Sequence, residues 1–118
     1  MLVVDCEVFK MDWMVVWLDT KTRKYHHIVN DKSKLEQFYA HYKNEVMVMY
    51  NGRNYDKYTI QGILCGFDPY HISDFIINKD MKGFMYSRLL TKFPLIIYDC
   101  APPFHSLKQL EALMSLMY

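Results

Sequence analysis

Glycine and proline are scarce in this chain, four of each in 118 residues. That excludes a collagen-like or low-complexity architecture and a flexible linker of any length. It also leaves no glycine-rich loop of the kind whose amides cradle nucleotide phosphates. Cysteine is scarce as well, and the three present, Cys6, Cys65 and Cys100, form an odd number with no CxxC. Neither a disulfide framework nor a zinc spacing follows, so the expectation is reduced, mostly buried thiols in a cytoplasmic protein. An excess of either charge is missing too: the net charge is +1, which gives no general attraction to a polyanion. No apolar run approaches the roughly 20 residues that cross a bilayer. Asp5 follows only four residues and no basic segment, unlike a secretory signal. The expectation is no membrane association.

What the sequence has in quantity is apolar and aromatic residues, 52% and 16% respectively, enough for an ordinary core. The length suits one domain spanning residues 1–118.

The first nine residues read as a short strand that delivers two carboxylates. Leu2-Val3-Val4 is an apolar run, and Asp5 and Glu7 follow one residue apart. Alternation along a strand puts residues i and i+2 on one face, so Asp5 and Glu7 point the same way. Two anions that close repel unless a cation lies between them, and a divalent metal is the usual one. The plain alternative is that Asp5 ends a strand and Glu7 faces water. A second strand-like stretch, Val46 to Met49, runs into Tyr50-Asn51-Gly52-Arg53-Asn54-Tyr55-Asp56 and then into a helical segment to Leu64. Each member has a structural reading of its own: Asp56 suits a first helical turn, Asn51-Gly52 is a common turn pair, and Tyr55 suits a core.

Between these stretches, Trp13–Asp19 and Lys24–Val29 are rich in β-formers around the polar turn Thr20-Lys21-Thr22-Arg23, which predicts a hairpin. Asn30-Asp31 starts a helix whose apolar face is Leu35, Phe38, Tyr39 and Tyr42. Helix, strand and helix then alternate, which favours parallel pairing. Gly66-Phe67-Asp68-Pro69 stops the second helix. Tyr70 to Asn78 predicts a short helix, and Phe84 to Leu90 is compatible with helix or strand. Leu95 to Tyr98 predicts a buried strand ending at Asp99, and Ala101-Pro102-Pro103 prevents its continuation. Ser106 caps a last helix from Leu107 to Met117.

Asp5-x-Glu7 on a first strand, followed by Tyr50-Asn51-Gly52-x-x-Tyr55-Asp56 opening a helix, resembles the first two motifs of the DEDD 3′–5′ exonucleases. The texture is most similar to the proofreading exonuclease part of bacteriophage-type DNA polymerases. The resemblance implies a ribonuclease-H-like α/β fold, a mixed sheet of three antiparallel strands followed by parallel strands and flanked by helices. It implies an enzyme that hydrolyses phosphodiesters at the 3′ end of single-stranded DNA with two divalent metals, Mg2+ or Mn2+, ~3.5–4 Å apart. Asp5, Glu7 and Asp56 would be catalytic metal ligands, and Asn51, Gly52 and Tyr55 would contact substrate. Pro94 to Leu113 resembles the next strand and helix of that family.

The family's third motif, Tyr-x-x-x-Asp or His-x-x-x-x-Asp on a late helix, is absent, since Ser106 to Tyr118 contains Glu111 and no Asp. Tyr70-His-Ile-Ser-Asp74 matches it as text but comes too early in the chain. The expectation is a C-terminally truncated version of the fold, with an uncovered apolar face available for self-association or a protein partner. Two functions compete: an exonuclease with full or reduced activity, and a catalytically inactive phage or mobile-element protein that binds a host protein or nucleic acid. A serine or cysteine hydrolase is weaker, because His26, His27, His41, His71 and His105 lack any nucleophile motif.

Overall fold

The computed structural model describes residues 1–50, 52 and 54–99. Five strands form one mixed sheet in the order β3-β2-β1-β4-β5. β1 (Leu2–Val8), β2 (Trp13–Asp19) and β3 (Lys24–Val29) are consecutive antiparallel neighbours. β4 (Val46–Met49) pairs in parallel with β1, and β5 (Ile96–Asp99) in parallel with β4. Three antiparallel strands followed by parallel ones is the sheet anticipated from sequence.

Local chemistry explains the boundaries. The β2–β3 turn closes through Arg23, whose φ of 61° is left-handed and whose N–H donates to the Asp19 carbonyl at 2.7 Å. The far end of the hairpin is latched by Asn30. Its side-chain oxygen accepts from the Trp13 amide, and its Nδ2 donates to Asp12, both at 2.8 Å. Helix α1 (Lys32–Tyr42) is capped by Asp31, which accepts from the Lys34 amide at 3.1 Å. Helix α2 (Asp56–Cys65) ends at Gly66, whose φ of 89° lets the chain turn out while Phe67 N–H closes on the Gly62 carbonyl. Helix α3 (Pro69–Ser73) is capped by Asp68 and runs into a wider turn over Asp74–Asn78.

Strand alternation divides the sheet. Leu2, Val4 and Cys6 of β1, Val15 and Trp17 of β2, and Met47 and Met49 of β4 share a buried cluster with Leu35 and Phe38 of α1 and Ile60, Ile63 and Leu64 of α2. Val3, Asp5 and Glu7 alternate with that set and therefore lie on the opposite face.

Two expectations change. The stretch Phe84 to Leu90 is neither α-helix nor strand: it holds parts of two 3-10 turns, Gly83–Met85 and Arg88–Lys92. β5 is the last strand of the described sheet, so its side chains are only partly covered, with Ile96 and Tyr98 48% and 62% exposed. An edge strand needs less covering than the continuous apolar run suggested. Cys6 is buried and Cys65 half-buried. The helix expected from Leu107 to Met117, Cys100, and Asn51 lie outside the described residues.

Candidate functional site

β1 outruns its parallel neighbour. β4 pairs with it only at Leu2 and Val3, leaving Asp5 to Val8 without a strand on that side. The start of α2 fills that space. Gly52 makes the tight link from β4, since a Cβ there would lie 2.2 Å from Met49 Cβ, and its carbonyl accepts from the Lys57 amide at 2.8 Å. Tyr55 immediately precedes α2, half-buried, and its hydroxyl donates to Ser73 Oγ at 3.0 Å. That bond anchors the ring beside Asp56 and ties the start of α2 to α3.

Asp56 is the buried member of the site, 5% exposed. Burial pushes its carboxyl up to about 8, and the negative charges of Asp5, Asp99 and Glu7 push the same way. A hydrogen bond from the Cys6 amide opposes them. Asp5 is raised as well, by burial first and then by Glu7. The Cys6 thiol, fully enclosed, is pushed well above its usual range by burial and by Asp56 and Asp5. Cys6 is thus a buried, protonated neighbour of the carboxylates and no nucleophile.

Asp5, Glu7 and Asp56 therefore share one electrostatic neighbourhood, which the two sequence stretches anticipated. Asp99 joins them, and sequence reasoning had treated it only as the end of a strand. It stands opposite Met49 at the carboxyl end of β5. The signal was available: Leu-Ile-Ile-Tyr-Asp99 repeats the form of Leu-Val-Val-Asp5, an apolar run ending in a carboxylate. Ligands of open α/β sheets gather at the carboxyl ends of parallel strands, where β4 and β5 end here. Asp74 is engaged by Asn78 at 2.8 Å and by Lys79 at 3.8 Å.

An oxygen-only donor set of mutually repelling carboxylates has the chemistry of a hard divalent-cation site. Among the described residues no three or more His, Cys, Asp or Glu side chains are gathered closely enough to hold a metal ion. Mg2+ needs fewer, because it keeps several waters and is commonly held by one or two carboxylates together with a substrate phosphate. The donor set fits that mode. Among the described residues, no helix is long and apolar enough to cross a membrane. Compared with known proteins, the chain matches no family model, no curated protein and no solved structure.

Proposed function

We propose that this chain is a ribonuclease-H-like domain of the 3′–5′ exonuclease type, hydrolysing the terminal phosphodiester of single-stranded DNA with Mg2+ or Mn2+. The observation that carries the reading is the buried Asp56 carboxyl, held against Asp5, Glu7 and Asp99 by the Cys6 amide. Such repulsion is costly unless a proton or a metal cation relieves it. The strand order and its antiparallel-to-parallel change support the fold assignment.

One or two of Asp5, Glu7 and Asp56 would hold the metal together with a substrate phosphate, and the metal would supply Lewis-acid stabilisation of phosphate oxygens and an activated water. The chain's own contribution is positional. Asp5 and Glu7 are fixed by β1, whose seven pairs with β2 make it rigid. Asp56 is fixed by the first turn of α2, and Asp99 adds negative charge from β5. Tyr55, anchored through Ser73, offers a ring to pack against a terminal nucleotide.

The test is degradation of 3′-labelled and 5′-labelled single strands with Mn2+, comparing wild type, Asp5→Ala and Asp99→Asn. Stepwise shortening from the 3′ end, lost in Asp5→Ala and reduced about 10–100-fold in Asp99→Asn, is expected. A second reading is a non-catalytic protein of the same fold that binds nucleic acid or a host protein. The lack of three gathered ligands among the described residues favours it. If wild type leaves both substrates intact under Mg2+ and Mn2+, the catalytic reading fails and this one replaces it.

A further inference from the structure

The link between β1 and β2 is made of residues that turns usually avoid. Phe9 donates its N–H to the Asp12 carbonyl at 2.7 Å, closing a tight turn around Lys10 and Met11. Glycine, asparagine, aspartate or proline is the common choice at such central positions. Here the turn presents Phe9 and Met11 to solvent instead, 58% and 84% exposed. It is firmly held. The Asn30 N–H donates to the Trp13 carbonyl at 3.1 Å, adding to the two side-chain bonds that tie Asn30 to Trp13 and Asp12.

The ladder fixes which way Phe9 faces. Val8 stands opposite Trp13, and Trp13 packs against the main core, so alternation still holds at the last pair of β1 and β2. Phe9 comes next and falls on the other face, that of Asp5 and Glu7. On the same face Met14 stands opposite Glu7, and Val29 opposite Met14. Met14 is half-buried and Val29 exposed. Phe9 is the diagonal neighbour of Met14. Phe9, Met14 and Val29 therefore form a continuous apolar strip bordering Glu7, which is itself exposed. Single exposed apolar side chains are ordinary, whereas a contiguous run of them marks a contact surface.

We propose that Phe9 binds the substrate strand: with a 3′ end at the carboxylates, a base upstream of the terminal nucleotide stacks on its ring. The inference deepens the nuclease reading and rests on it. Two residues of strand carry Phe9 about 6.8 Å beyond Glu7, roughly two stacked nucleotide steps of 3.4 Å. The terminal nucleotide is left to Tyr55, where α2 meets β1, and the strand continues outward over Phe9. Stacking on an aromatic ring uses the face of any base, so the contact is indifferent to sequence. It does require an unpaired strand, because a duplex already spends those faces on neighbouring bases.

The experiment measures binding by the full chain in Ca2+, a hard cation that takes the same oxygen donors as Mg2+. The probes are short oligodeoxythymidylates with one 2-aminopurine, either at the 3′ terminus or one or two positions upstream. Phe9→Ala should weaken binding about tenfold, the loss of one base–aromatic stack, and Phe9→Trp should restore it. Fluorescence quenching at an upstream position should disappear in Phe9→Ala while quenching at the terminus persists. Both variants should melt with wild type, since Phe9 is exposed. Equal affinity of wild type and Phe9→Ala overturns the proposal and leaves the nuclease reading standing. So does a loss that Phe9→Trp fails to restore, or quenching confined to the terminus. Wild type that binds none of the strands also overturns it, and shortening of the same strands in Mn2+ then decides whether the nuclease reading falls with it.

Discussion

Asp56 keeps a carboxyl group where a carboxylate is disfavoured twice, by lost hydration and by Asp5, Asp99 and Glu7. The consequence for the metal-free chain can be worked out. The folded carboxyl titrates near 8 and its ordinary value is 3.8. Between those two pH values the folded state retains a proton that the unfolded state has lost. Stability therefore falls as pH rises through that window, by up to about 1.4 kcal/mol per pH unit from this group. Asp5 is raised in the same direction and adds to the trend. Asp56→Asn keeps the size and removes the titration. In EDTA, urea unfolding should show wild type losing stability from pH 5 to pH 8 and the variant losing clearly less. Parallel pH profiles for the two proteins would show that Asp56 is not held as the structure describes. The sequence offered the three carboxylates because their spacing on a strand and at a helix start is local information. It offered neither the burial of Asp56 nor the role of Asp99, since both depend on which strands lie side by side.

Among the elements, those bounded by strong local chemistry were the legible ones. The β2–β3 hairpin runs over the residues expected because β-formers flank a polar turn, and Arg23 tolerates the left-handed position that closes it. Helix α1 follows from Asp31 and the Leu35/Phe38 face, both of which the structure uses. Phe84 to Leu90 was not legible because its apolar residues keep neither helical nor strand period. Their place is set by tertiary contact instead, with Gly83 lying so close to the Tyr58 ring that a Cβ would come 2.1 Å from it. The link from β4 to α2 makes the sharpest prediction at this scale. Gly52→Ala would drive a methyl group against Met49 Cβ, an atom tied to the backbone of β4 and unable to swing aside. Overpacking of this kind costs typically 1–3 kcal/mol, roughly, against under about 1 kcal/mol returned by reduced chain entropy. Thermal unfolding should fall by several degrees, and because the same link positions Asp56, any Mn2+-dependent activity should fall with it. An unchanged melting temperature would mean that β4 and α2 are not joined this closely.

The whole molecule is built so that carboxylates far apart in the chain, at positions 5, 7, 56 and 99, act on one another across β1, α2 and β5. Their repulsion opposes folding, and anything that binds them together in the folded state but not in the unfolded chain must stabilise the entire structure. The size of the effect is fixed by affinity and concentration: a cation at 100 times its dissociation constant contributes about 2.7 kcal/mol. For a chain of this length that amounts to a rise of several degrees in melting temperature. Mn2+ or Mg2+ should therefore raise the melting temperature in proportion to the logarithm of concentration above saturation, and more at pH 8 than at pH 5, where protons compete for Asp56. Asp5→Ala should abolish the rise, and EDTA should reverse it in wild type. This readout does not depend on catalysis, so it separates two failures that an activity assay would merge. A cation shift without DNA degradation would keep the metal site and discard the exonuclease. Absence of any shift in wild type, with the chain folded, would remove the metal and leave four carboxylates held together at a cost for which the nuclease reading has no explanation.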